Sequence, residues 1–454
     1  MLMELLHGLE KAINTTSNFL WGYPLVILLF GTHIFLTFRL RFIQRYIGKA
    51  IKLSVTPDKG SRGDVSQFGA LTTSLAATIG TGNIMGVGSA IALGGPGAVF
   101  WMWLTGVFGI ATKYSEAVLA VKYRVTNEKG EQAGGPMYVL ARGLKMPWLG
   151  TIFAALTAVA AFGIGNMVQS HSIAELVGEE FGIKAQWTGL ILMVLTAMVI
   201  LGGIRNIARV CEGLIPFMAV FYVTGCIVLL VMHADRIPGS LELIFKSAFT
   251  GHAAIGGFVG TTIREAIRMG VSRGLFSNES GLGSAPIVAA AARTRNPVRQ
   301  GLVSATGTFW DTVVICLITG LVIVNSGAWT AGEEARVLTR HAFQDIPYIG
   351  TTVLTLGLFT FVFSTILGWS YYGEKAAEYL FGRRVVKPYR WMWVGAVYVG
   401  AIVPSSVWSF ADLANGLMAL PNLIALLALS GVVVAETKKF LWEGDINASG
   451  DDGE

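Results

Sequence analysis

Charge is scarce in this chain. Asp, Glu, Lys and Arg make up 14% of its 454 residues, against about 25% in ordinary soluble domains, and the mean hydropathy is +0.60. A soluble globular class is thereby excluded. Cysteine is nearly absent: Cys211, Cys226 and Cys316 lie inside apolar runs with no CxxC pair, so they read as small core residues rather than a disulfide or metal framework. The six histidines show no HxxxH or HExxH spacing, which leaves a metalloenzyme without ligands. No GxxxxGK[ST] loop occurs, so an ATP-driven pump has no phosphate cradle. No convergent nucleophile and base supports an intramembrane enzyme, and the repeated filter elements of a channel are missing.

What the chain has instead is apolar length. A membrane crossing needs about 20 apolar residues. Eleven crossings are predicted, at about 19–38, 67–92, 97–121, 149–174, 187–204, 210–232, 253–272, 301–325, 350–372, 391–405 and 410–435. Most of the 34 Lys and Arg then fall on one side, in 39–66, 122–148, 205–209, 264–299, 373–390 and the tail. Basic loops stay cytoplasmic, so the N-terminus is expected outside and the C-terminus inside, in a multi-pass plasma-membrane protein. The net charge of +6 thus reports topology, not nucleic-acid binding.

Parity adds a second inference. The Gly-rich segment 67–92 enters from inside, and the Gly-rich segment 253–272, five crossings later, enters from outside. Two five-helix units, 67–232 and 253–435, are therefore expected as an inverted repeat. They follow an extra N-terminal helix and basic loop (1–66), are joined by an external connector (233–252), and end in a cytoplasmic tail (436–454).

Residues 74–88 hold Gly80, Gly82, Gly86 and Gly88 with Thr78, Thr81 and Asn83 at mid-crossing. An unpaired backbone group in hydrocarbon costs several kcal/mol, so unwinding there requires a cavity or a ligand. A close-packing glycine face is the plainer reading, and Gly82 and Gly86 have its spacing. Gly256, Gly257, Phe258 and Gly260 interrupt the segment that parity makes equivalent. Paired interruptions favour a transporter site.

Here a family likeness becomes visible. Gly94-Gly-Pro-Gly-Ala-Val-Phe-Trp-Met-Trp-Leu-Thr-Gly-Val-Phe-Gly109 and Arg273-Gly-Leu-Phe-Ser-Asn-Glu-Ser-Gly-Leu-Gly-Ser-Ala-Pro286 resemble the two characteristic stretches of the alanine/glycine:cation symporter (sodium:alanine symporter) family. The resemblance implies a leucine-transporter (LeuT-type) fold, sodium as co-transported ion with no further cofactor, and alanine or glycine as substrate. A proton- or other cation-coupled carrier of a different small zwitterion is the alternative. By the same resemblance, the backbone from Thr78 through Ile79, Gly80 and Thr81 to Gly82 would meet the substrate carboxylate. Asn83 would hold a cation beside it. Carbonyls of Ala76 and Ile79 would face Phe361, Ser364 and Thr365 around sodium, which takes oxygen ligands as other hard cations do. Back-bonding of Ser364 and Thr365 to their own helix is the competing reading.

Other polar residues sit where they are expensive. Asn166 and Gln169, with Phe162 one turn earlier, share a helix face and suit either a substrate pocket or interhelical hydrogen bonds. Trp369 follows Thr365 by about one turn and could close the pocket or lie at the interface. Asp311 is a mid-crossing carboxyl: a cation ligand, a proton acceptor or a structural partner. Lys113 and Glu116, three apart, are expected to pair. Glu265 and Glu279, among Arg264, Arg268 and Arg273, suit an inner gate or a solvated face, and 281–292 reads as an Ala-rich interfacial helix.

Overall fold

A computed structural model describes residues 2–58, 61–250, 261–331, 335–346, 350–403 and 408–449. Nearly all of it is helical. Among the described residues the strands are one small hairpin, Val125–Thr126 against Gln132–Ala133. Helix starts are marked by the local chemistry that orphan N–H groups require. Ser66 accepts from the Gly69 amide, Asn296 from Arg299 ahead of Pro297, and Thr262 forms a capping box with Glu265. Gly182 and Gly327 end helices in the left-handed conformation, as C-terminal stops do.

Six helices are long and apolar enough to cross a bilayer: Lys11–Arg39, Pro147–Phe181, Ile204–Met232, Pro297–Ser326, Gly350–Phe381 and Phe410–Ala428. The bent pair Gln67–Thr78 and Gly82–Gly94 makes a seventh. Three further predicted crossings correspond to the helices Gly97–Lys122, Ala185–Ile200 and Val386–Ile402, so length and apolar character alone do not establish the count of eleven. Burial sorts the layers. Ile204–Met232 turns Phe217, Val220, Ile227 and Val231 outward, as a lipid-facing helix does. Helices Pro297–Ser326 and Gly350–Phe381 are mostly enclosed.

One segment departs from expectation. Helix Ile263–Asn278 carries Arg264, Glu265, Arg268 and Arg273 and is therefore poorly apolar, yet it packs in the middle of the protein along Gly97–Lys122. Gly270 abuts the Ala98 carbonyl there, and Gly274 abuts Thr105 and the Met102 carbonyl. The helix starts beside the Gly94–Gly97 turn, where Gly94 faces the Glu265 carbonyl, and ends at Asn278. A short piece, Pro286–Ala289, continues it, and Ala292 bridges to Val65 at the far end. The stretch that runs through the protein among the described residues is 263–292; residues 253–260 of the predicted crossing 253–272 lie outside the described residues. Arg264 and Arg268 lie at the end opposite Arg293, Arg295 and Arg299, so the predicted inner block 264–299 is divided. Residues 281–292 are buried throughout and form no interfacial helix.

The far end is tied by charge. Asp58 pairs with Arg295 at 2.5 Å and Arg299 at 3.4 Å, both arginines donate to Asn447, and Arg124 donates to the carbonyls of Ala290 and Ala292. This is the face on which the basic loops collect.

Candidate functional site

The first interruption is where residues 74–88 place it. Helix Gln67–Thr78 stops, Ile79 is extended, and the chain resumes at Gly82 in a wide turn through Gly86 with a 55° bend. The Gly80 amide does not return to the carbonyl four residues back; it donates to the Asn83 side chain at 2.9 Å. That frees the Ala76 carbonyl from its helical partner and leaves Thr81 and Gly82 at the start of a new half-helix, where N–H groups favour an anion.

The second interruption follows Asn278. Glu279 adopts a left-handed conformation (φ +54°), and Gly281 and Gly283 have φ +90°. Glu116 of helix Gly97–Lys122 grips this loop: its Oε1 accepts from the amides of Gly281 and Gly283 at 3.1 Å each and from Asn422 at 2.7 Å. Asn422 also donates to the Gly281 carbonyl. The expected Lys113–Glu116 pair does not form among the described residues: Glu116 Oε1 is taken by these donors, and Oε2 and the Lys113 Nζ are each left without a hydrogen-bond partner. Lys113 is 2% exposed, and its Nζ has no hydrogen-bond partner.

Between the two interruptions lies a small polar hollow. The first break contributes Thr78, Gly80, Thr81 and Gly82. The second contributes Ser277 and Glu279, preceded by Phe276. Gln169, Thr365, Trp369 and Asn415 complete the polar and aromatic wall. Trp369 donates its indole N–H to Glu279 Oε1 at 3.1 Å, and Ser284 donates to Oε2 at 2.5 Å. Gln169 donates to the Ile164 carbonyl, which leaves its Oε1 without a partner; Asn415 Oδ1 is likewise unpartnered.

Several predicted residues come together here and others do not. Thr365 reaches the carbonyls of Ile79 (3.3 Å) and Phe361 (2.9 Å), so a hydroxyl and two carbonyls converge beside Gly80. Ser364 instead bonds back to Phe361 and turns to the Met218 sulfur at 3.6 Å. Phe162 packs on Tyr389 and Trp393, and Asn166 donates to the Trp393 carbonyl at 2.9 Å. Both lie behind the cavity, because the wide turn Gly163–Met167 shifts the register that would have put Asn166 and Gln169 on one face. The Thr78 hydroxyl bonds back within its own helix. Gly256, Gly257 and Phe258 lie outside the described residues; the interruption that the structure describes in this half is about twenty residues further on. Glu265 starts a helix at the end opposite Arg293 and Arg295, and Glu279 lines the hollow between the breaks.

Asp311 joins the two breaks. Its Oδ1 accepts from Asn83 at 2.7 Å, and its Oδ2 accepts from Ser277 at 3.0 Å and Thr312 at 2.6 Å. Ser277, Glu279 and Asn415 were missed as site residues. The signal was present: Gly281-Leu-Gly283-Ser repeats the Gly80-Thr-Gly82-Asn pattern beside a buried run of polar residues.

Two interrupted helical segments bordering one polar hollow define a secondary carrier of the LeuT type, a multi-pass membrane protein rather than an enzyme. Among solved structures, MhsT in complex with L-phenylalanine superposes with a TM-score of 0.59 over 84% of this chain and 95% of that chain, at 15% identity. That likeness shows the fold. The chain belongs to the sodium:alanine symporter family, whose family model matches residues 6–449. The sodium/alanine symporter AgcS of Methanococcus maripaludis is 51% identical over 94% of this chain and 96% of that protein. An uncharacterized transporter of Haemophilus influenzae is 50% identical over 97% and 98%.

Proposed function

We propose that the protein imports a small neutral amino acid, alanine or glycine, on a sodium gradient by alternating access, as the name of its M. maripaludis relative suggests. The observation that carries this reading is the cavity between the breaks. Bordering it are the amide groups of Thr81 and Gly82 at a half-helix start, suited to a carboxylate. Also lining the hollow are the Glu279 carboxylate and the unpartnered oxygens of Asn415 and, beside Gly80, Gln169, suited to an ammonium. Trp369, Phe276 and Ile164 supply the apolar part of the lining, and it is against these that the small side chain is proposed to sit.

Sodium is read at Thr365 with the carbonyls of Ile79, Phe361 and Ala76. Ile79 and Ala76 flank the unwound turn that receives the substrate. An ion there fixes the break in its open-peptide geometry, so each ligand raises the affinity of the other. The second reading, proton coupling, rests on Asp311, a fully buried carboxyl that links both breaks. The face carrying Arg124, Arg295 and Arg299 is assigned to the cytoplasm and the N-terminus to the outside.

Uptake of labelled alanine into proteoliposomes, with sodium gradient, proton gradient or neither, tests the proposal. Uphill uptake with sodium alone is expected. Uphill uptake driven only by protons would replace sodium by Asp311-centred coupling, and uptake that never exceeds equilibration would remove the carrier reading.

A further inference from the structure

We infer that Lys113 is a tethered stand-in for the substrate's ammonium, neutralising the second break when the carrier crosses empty. The inference rests on the transport reading above and extends it. Gly109, Lys113 and Glu116 lie on one face of helix Gly97–Lys122, at i, i+4 and i+7. Both neighbours touch the second break: a side chain at Gly109 would meet Ser280 Oγ at 3.2 Å, and Glu116 holds the amides of Gly281 and Gly283. Lys113 rises between them, and helical side chains lean toward the N-terminal turn, here toward Ser280 and the adjacent Glu279. The titratable groups around it are Glu116, Glu279, Asp311 and His33. Among these groups Lys113 is the ammonium, beside three carboxyls and one imidazole.

The pairing of these groups is uneven. Glu116 and Asp311 accept three hydrogen bonds each, Glu116 taking all three on Oε1 while its Oε2, which does not line the cavity, has no partner among the described residues. Glu279 accepts two and lines the cavity. Lys113, buried, has no hydrogen-bond partner. A carboxylate has about four acceptor positions, so Glu279 keeps capacity for one ammonium. With amino acid bound, that ammonium comes from the substrate. Once substrate leaves, Glu279 becomes a buried anion whose desolvation opposes closure, and a flexible four-carbon stem one helix away carries a replacement charge.

The consequence is kinetic. Net uptake requires the empty carrier to return; exchange of internal for external alanine does not, because the site crosses loaded in both directions. In Lys113→Met, net sodium-driven uptake is expected to fall at least about tenfold while alanine exchange stays within about twofold of wild type. Proteoliposomes loaded with unlabelled alanine measure exchange, and empty ones measure net uptake. Equal loss of both rates would make Lys113 a structural residue and overturn the inference, as would net uptake at the wild-type rate. Should Lys113→Met fail to fold, Lys113→Gln, whose amide can donate to the same loop, is read by the same ratio. Absence of exchange in the wild type would instead overturn the transport reading itself.

Discussion

Thr365 and Ser364 are neighbours in sequence with the same functional group, yet their surroundings give them different work. The Thr365 hydroxyl bridges from its own helix to the Ile79 carbonyl across the first break, whereas the Ser364 hydroxyl points at the Met218 sulfur. Replacing Thr365 by Ala removes one oxygen from the proposed sodium cage. Losing a single buried hydrogen-bonding group changes a free energy by about 1 kcal/mol, so half-saturation by sodium is expected to rise by about fivefold. Ser364→Ala is expected to leave it within about twofold. Measuring sodium dependence of uptake for both variants checks the pair, and equal shifts would move the ion away from Thr365. Gly80 is a harsher position. A Cβ there would lie 2.6 Å from Thr365 Oγ1 and 3.6 Å from Gln169 Oε1, so Gly80→Val fills the hollow at its polar wall. Alanine binding by calorimetry is expected to vanish while the purified protein keeps its helical content and monodispersity.

At the scale of elements, the two breaks differ in what holds them open. The first is held from within, by Asn83 folding back on the Gly80 amide. The second is held from outside, by Glu116 and Asn422 on neighbouring helices. Glu116→Gln weakens both amide contacts and the charge behind them; charge-assisted hydrogen bonds are about twice as strong as neutral ones. Alanine affinity is therefore expected to drop by about tenfold or more, with the sodium site less affected because it belongs to the first break. Asn422→Ala removes one donor to Glu116 and one to the Gly281 carbonyl, and a smaller loss of the same kind is expected. Parallel titrations of alanine and sodium distinguish a loosened second break from general damage. The same contrast explains what could be read from sequence. Residues 74–88 announced the first break because its glycines interrupt an apolar run, which a hydropathy window detects. The second escaped because helix Ile263–Asn278 is rich in arginine and serine. Its burial follows from glycines at 270 and 274 that let it sit against Gly97–Lys122, a property of packing that no window of apolar residues reports. Asn166 and Gln169 failed as a pair for a related reason: their spacing is right for an unbroken helix, and the chain there takes a wide turn.

For the whole molecule, alternating access requires that one face open as the other closes, and the two faces here are fastened differently. Toward the Gly94–Gly97 end, the helix start at Thr262 is closed by its own capping box with Glu265, and Gly94 and Gly270 set that helix directly against Gly97–Lys122. Toward the basic face, Asp58, Arg295, Arg299 and Asn447 form a linked set that ties the segment after the second break to the chain before the first and to the C-terminal segment. Opening that face must separate these groups. Asp58→Asn removes the charge that both arginines share and should shift the resting population toward the conformation open at the basic face. Apparent affinity scales with the fraction of carriers in the competent state, so external alanine is expected to bind about three- to fivefold more weakly in Asp58→Asn, for a bias of about 1 kcal/mol. Release on the basic side should not slow. Right-side-out and inside-out vesicles separate the two: a rise in half-saturation confined to the face opposite Asp58 is the expected outcome. Equal weakening from both faces would mean that the Asp58 cluster supports the fold without governing which side is open.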